Sequence, residues 1–334
     1  MKKYLLANTK NSYKANLHAH TDISDGQLSP EALKELYQSA GYSVLAYTDH
    51  DILIPHHELT DSEFIALSGF EAQFNGQNKY PGNSSEKKCH ICFIAKSPDT
   101  VEQPCWNENY AYIGNCARYR EQVKFDEESY GFQREYTPKC INEMVRIAKE
   151  KGFFATYNHP AWSLETFEDY TKYSNFDAVE IFNTGSEMLG IASSAPYAYD
   201  DMLRCGHRVF AVAADDTHNG VYDAFDGFVM IKADELKYET ITKALEAGDF
   251  YASMGPLFHE IYIEDGTLVV RCSDAVWVGV STDTRKSKCK FSQNGEVLNE
   301  AVFPLDFDFK FFRITVKDAH GRFAYSNAFF KDAL

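Results

Sequence analysis

The chain has no run approaching the roughly 20 apolar residues that a membrane-spanning helix requires. Met1 to Ala7 offers two lysines and a short apolar stretch, too brief for the apolar segment of a secretory leader. Both absences lead us to expect a soluble, cytoplasmic protein with no membrane partner. Cysteine is sparse, with eight residues in 334 scattered between Cys89 and Cys289. A chain this long can bury a core without disulfides, so the thiols are expected to be reduced. Cys89-His90-Ile91-Cys92 has CxxC spacing, but a structural zinc site wants a second ligand pair and none accompanies it. Cationic residues are also scarce: 33 Lys and Arg face 49 Asp and Glu, a formal net charge of −16. Such a surface repels the phosphates of a long nucleic acid. Carboxylates that hold metal ions would be locally neutralised, which leaves a small anionic ester open as a substrate.

What is present is an alternation of apolar runs and helical repeats. Ser29-Pro30-Glu31 predicts a helix start, with Leu33, Leu36, Tyr37 and Ala40 at helical spacing and Gly41 as the stop. Residues 138–151 repeat the pattern, with Ile141, Met144, Val145 and Ala148 on one face. Helices are also expected over 195–205 and 238–247. Strands are expected over 43–48, 64–70, 89–95, 153–157, 178–182, 209–213, 228–232 and 250–253. Repeated strand–helix units predict parallel strands in an α/β barrel over 1–255. After Gly255-Pro256 the helical repeat vanishes. Short strands joined by turns such as Glu264-Asp265-Gly266 and Asn294-Gly295 predict a small antiparallel β-sandwich over 256–334. Residues 99–136 fit neither pattern and are expected to form an insertion, either a lid or a surface cover.

Polar groups gather where the apolar strands end. His18-Ala19-His20 places two imidazoles two residues apart, on one side of a strand. Thr48-Asp49-His50-Asp51 follows an apolar strand, and Glu71 ends another. His90 lies inside the strand 89–95. Asn158-His159-Pro160 follows a fifth strand, and Asp216-Thr217-His218 repeats the two-residue spacing after a sixth. Parallel barrels deliver functional groups at strand C-termini. A purely structural account must explain each of these residues separately, whereas one metal centre explains them together.

Taken with Ser24-Asp25-Gly26, these elements resemble, in order and in strand context, the PHP family, named for polymerase and histidinol phosphatase. The resemblance covers roughly 13–255. It implies a distorted barrel of seven parallel strands, a (β/α)7 barrel, and two or three divalent ions, commonly zinc, manganese or iron. Carried over by position, it implies His18, His20, Asp25, His50, Glu71, His90, His159, Asp216 and His218 as metal ligands. The tail, from Phe311-Phe312-Arg313 to Ser326-Asn327, is similar to the C-terminal β domain of the branch that includes carbaryl-hydrolase-like proteins.

These expectations converge on a phosphoesterase that hydrolyses a small-molecule phosphate ester by a metal-bridging hydroxide. His159 or His218 would handle the leaving-group proton. Arg118, Arg120 and Arg134 in the insertion would bind phosphate through their guanidinium forks. Two alternatives share the ligand set: hydrolysis of a non-phosphate ester or amide of carbamate type, and a non-catalytic metal-containing binding protein. His56 and His57 are expected to be exposed loop residues. The sequence carries no signal of oligomeric state.

Overall fold

A computed structural model describes residues 2–76, 87–293 and 296–334. The strands in chain order are β1 (Lys3–Tyr4), β2 (Asn11–Asn16), β3 (Val44–Tyr47), β4 (Ile65–Asn75), β5 (Lys88–Ala95), β6 (Phe153–Tyr157), β7 (Ala178–Asn183), β8 (Phe210–Ala214), β9 (Phe228–Ala233) and β10 (Phe250–Ser253). The helices among them are α1 (Pro30–Ser39), α2 (Pro138–Glu150), α3 (Phe167–Tyr170), α4 (Thr184–Met188), α5 (Pro196–Arg204) and α6 (Tyr238–Ala247). The expected cap chemistry sets two starts. The Ala32 amide donates to Ser29 Oγ ahead of Pro30, and the Cys140 amide donates to Thr137 Oγ1 ahead of Pro138. None of these helices is long and apolar enough to cross a membrane.

Strands β2, β3 and β4 pair in parallel, as do β6, β7 and β8. Between the two groups the expectation of seven parallel strands fails, because β5 runs antiparallel to both β4 and β6. A parallel return needs a long crossover, usually helical, and the sequence between β4 and β5 carries no helical repeat. Strand β9 is likewise antiparallel to β2. Among the described residues no continuous ladder closes the sheet into the expected barrel. An isolated parallel bridge, Ala19 with Thr217, joins the chain beyond β2 to the chain beyond β8. Two backbone hydrogen bonds reinforce it, His20 to Thr217 at 3.0 Å and Asp216 to His18 at 2.9 Å.

Apolar side chains of β4 to β8 pack under α2 and α5, and those of β2, β3, β8 and β9 pack under α6. The remaining strands are β11 (Phe258–Glu264), β12 (Thr267–Ala275), β13 (Trp277–Thr282), β14 (Lys288–Phe291), β15 (Leu298–Pro304), β16 (Phe311–Lys317), β17 (Phe323–Ser326) and β18 (Phe329–Phe330). They are antiparallel throughout, and one apolar cluster joins the β11–β12–β15 layer to the β13–β16–β17 layer. The turn expected at Asn294-Gly295 lies outside the described residues.

The chain does not divide cleanly at residue 255. Strand β1 pairs with β11, and β10 pairs with β17, so one sheet runs from the α/β part into the C-terminal part. Polar clasps lock this junction. Asn327 accepts from the Ala211 amide and donates to the carbonyls of Gly248 and Phe250. Arg313 forms a two-pronged pair with Asp200 at 2.6 and 2.7 Å.

Candidate metal centre

The chain beyond β2 carries His18 and His20, whose Nε2 atoms face each other at 3.2 Å. The next turn holds Asp25. Its shape is set by Asp49, which accepts from the Thr21 amide (2.8 Å), Thr21 Oγ1 (2.8 Å) and Ser24 Oγ (2.6 Å). Gly26 is required there, because a Cβ would lie 2.3 Å from the His20 carbonyl oxygen. The loop after β3 brings His50 alongside Glu71 of β4 through an isolated parallel bridge. His90 projects from the middle of β5 rather than from its end. The antiparallel register opposes His90 to Gln73 and Cys92 to Glu71, so mid-strand residues reach the site here.

Glu71 and Asp216 lie at the centre. Glu71 Oε1 is 3.1 Å from His18 Nε2, 3.3 Å from His90 Nδ1 and 3.3 Å from His159 Nε2, while its Oε2 is 3.1 Å from His50 Nδ1. Asp216 Oδ1 is 3.1 Å from His18 Nε2 and 3.0 Å from His20 Nε2. All nine residues expected as ligands fall into groups tight enough to hold an ion. His20, Asp25, His50 and His218 form one group; His18, His159 and Asp216 form another; His50, Glu71 and His90 form a third.

The donor set fits cations by a specific test. Glu71 Oε2, Asp216 Oδ1 and His50 Nδ1 are buried, and no hydrogen bond reaches them. Buried acceptors left this way are costly unless something positive sits between them. The electrostatics agree. Burial opposes ionisation of Glu71, but His90, His18 and a hydrogen bond from His159 outweigh it and hold the carboxyl well below its usual range. Asp216 is likewise held well below its range, with His18, His20 and His218 overcoming burial. Burial, reinforced by His20, pushes His50 down to about 3, so its ring is neutral and its lone pair is free for a ligand.

A second layer aims these rings. Glu180 Oε1 lies 3.0 Å from His18 Nδ1, and its Oε2 accepts from the His159 amide at 3.0 Å and from Asn183 Nδ2 at 2.8 Å. Gln73 Oε1 engages His90 Nε2 at 2.9 Å, which turns Nδ1 toward Glu71. The Asp216 carbonyl engages His218 Nδ1 at 2.8 Å, which leaves Nε2 on the cavity side. His159 and Asp216 both sit at positive φ, +27° and +57°. Non-glycine residues there store about 1–3 kcal/mol each, a pattern typical of functional sites. Gly185 accommodates the Asp216 turn, since a Cβ would approach the Asp216 carbonyl oxygen to 2.9 Å.

Sequence reasoning assigns no site role to three further residues around the centre. Glu180 was legible as an acid inside the apolar run Ala178-Val179-Glu180-Ile181-Phe182. Cys92 shares the His90 face of β5, groups with His18 and Glu71, and accepts from Asn158 Nδ2 at 3.1 Å; burial raises its thiol to about 11. Asn158 also donates to Glu71 Oε1 at 2.7 Å.

The three arginines do not line the cavity above the centre. Arg118 is exposed, Arg120 donates from Nε to the Ala111 carbonyl at 2.9 Å, and Arg134, only 3% exposed, is paired with Asp51. Arg134 also donates to the Gln73 carbonyl at 3.0 Å, so it braces the backs of two ligand-bearing segments. Residues 99–136 act in the same way. Ile23 and Ile52, from the ligand loops, share an apolar cluster with Trp106, Ala111, Cys116 and Val123 of the insertion. The Asn115 amide donates to the Ser24 carbonyl, and from the insertion only Ile113 reaches the cavity. His56, expected to be exposed, is buried edge-on against Tyr47.

No family model matches the chain, and no curated protein matches it. Among solved structures it is similar to an amidohydrolase from Chromobacterium violaceum, with 15% identity, 63% of this chain and 89% of that one covered, and a TM-score of 0.36. It is also similar, at 13% identity with 98% of each chain covered and a TM-score of 0.45, to a two-domain protein from Bacteroides vulgatus containing a predicted PHP-like metal-dependent phosphoesterase.

Proposed function

We propose that the protein is a metal-dependent hydrolase of small-molecule phosphate esters. The observation that carries this reading is the convergence of six histidines and three carboxylates on shared points, with buried acceptors that no proton satisfies. Divalent ions bound there would acidify water and draw charge from the ester oxygens. Three such ions would more than offset Asp25, Glu71 and Asp216, so the centre could attract a phosphate dianion without arginines.

The chain's own residues would do the rest. His18, His159 and Asp216 would hold one ion, His50, Glu71 and His90 a second, and His20 and Asp25, joined by His218 when its Nε2 carries no proton, a third. Glu180 fixes the ring of His18 and the backbone of His159, so these ligands need little rearrangement as charge shifts. In the net reaction water adds to phosphorus, the phosphorus–oxygen ester bond breaks, and the departing oxygen takes a proton. We assign that proton transfer to His218, whose Nε2 lines the cavity and could carry a proton when no ion is bound to it, rather than to the deeper His159.

A second reading, hydrolysis of a neutral ester or carbamate, is favoured by one observation: no lysine or arginine lines the cavity among the described residues. A panel of phosphate, carboxyl and carbamate esters with Mn²⁺-loaded protein separates the two. Phosphate release that is lost on chelation and regained on metal addition is expected. Cleavage of carbamates or carboxyl esters with no phosphate release would replace the first reading by the second.

A further inference from the structure

Above the candidate metal centre lies a cavity of 370 Å³. The ligand cluster forms part of its wall. Trp162, Ile113, Met188 and Leu189 supply an apolar wall, beside polar Gln73, Ser186, Asn219 and Asp223. Trp162 stands against the rings of His90 and His159, with centroids at 5.2 and 5.0 Å. Met188 closes α4 and Leu189 follows it, and both side chains are largely in water, 57% and 68% exposed. Two large adjacent apolar side chains left open at a cavity mouth are the usual mark of a surface that a ligand covers.

The charge pattern points the same way. The cationic side chains of the insertion are turned elsewhere, and the cavity beyond the ligand cluster carries Asp223. Asp223 is committed to the His218 and Asn219 amides, each at 2.9 Å, and stays where a second anionic group of a ligand would meet it. Among the described residues no lysine or arginine lines this cavity, in a protein of net charge −16.

We infer that this site selects substrates with one anionic head and an apolar tail, the tail lying against Trp162, Met188 and Leu189, and that it disfavours ligands with a second anion. This rests on the hydrolase reading for the position of the head, but not on turnover. Burying an apolar tail against that wall should tighten binding by about tenfold over a head group alone.

The test is calorimetric titration of Mn²⁺-loaded protein with three phosphonates that do not turn over: methylphosphonate, benzylphosphonate and 3-phosphonopropionate. Benzylphosphonate is expected to bind about tenfold tighter than methylphosphonate, and 3-phosphonopropionate no tighter than methylphosphonate. The double variant M188S/L189S should abolish the benzyl preference while metal content, by elemental analysis, stays unchanged. Failure of benzylphosphonate to bind several-fold tighter, a best fit for 3-phosphonopropionate, or a preference that survives in the double variant would each overturn the inference. An absence of ester turnover alongside a benzyl preference would instead count against the hydrolase reading alone.

Discussion

Glu180 and His18 meet at 3.0 Å, carboxylate oxygen to Nδ1, with both side chains buried. This contact fixes the tautomer of His18 so that Nε2 faces Glu71 and Asp216. Outer partners of this kind typically carry 10- to 100-fold in metal affinity. Glu180→Gln should therefore weaken metal binding by about that factor. Competition with a chelator would measure it, and an unchanged affinity would remove Glu180 from the centre.

Replacing His18 and His20 together by Ala should strip metal and activity while the antiparallel C-terminal strands remain folded. Their apolar side chains gather in a cluster that contains neither imidazole. Elemental analysis and circular dichroism report the two halves of this expectation. Retention of full metal content would show that the centre lies elsewhere.

The buried pair of Arg134 and Asp51 yields a stability prediction. Arg134→Ala would strand the Asp51 carboxylate, which is itself buried beside His50, and should cost about 3–5 kcal/mol. Urea denaturation measures this. Were Arg134 a phosphate ligand instead, the variant would raise KM and leave the unfolding midpoint in place.

Glu165 supplies a pH dependence. Its carboxyl is buried and receives the hydroxyls of Tyr136 at 2.7 Å, Tyr157 at 2.5 Å and Tyr173. Burial pushes it up to about 7, against the pull of the three hydroxyls. A folded value above the ordinary one means the native state holds this proton more tightly than the unfolded chain. The associated stability is complete below about pH 4.5 and is lost as pH rises through about 7, on the order of 3 kcal/mol. Glu165→Gln should thus gain on the parent between pH 5 and pH 8. Parallel melting curves at the two pH values would test it, and a constant difference between the proteins would refute it.

Much of the candidate centre is legible in the sequence because most of the residues that converge there follow apolar strands whose period is easily read. His18, His20, His50, His159, Asp216 and His218 all leave strand ends, and His90 was recoverable from its place in the series. The direction of β5 was not legible, since a buried strand reads the same whether it runs with its neighbours or against them. Nor was the fate of Arg134, whose partner Asp51 is distant in sequence and adjoins a residue read for its chemistry. Glu180 is hard to single out because it sits two residues inside a strand that otherwise reads as core. The length of β4, which carries Glu71 well inside it rather than at its end, depends on pairing with β5 and left no local mark.

The β10–β17 ladder joins the two halves of this polypeptide in one sheet. Tyr251, Ala252 and Ser253 take their partners from Ser326, Tyr325 and Ala324, close to the far end of the chain. A fragment cut after Gly255 would present a bare, apolar sheet margin to solvent, with Tyr251 stripped of Phe258 and the other C-terminal members of its apolar cluster, and would be prone to self-association. Any transplant of residues 1–255 onto another scaffold must bring along a substitute for that missing seam.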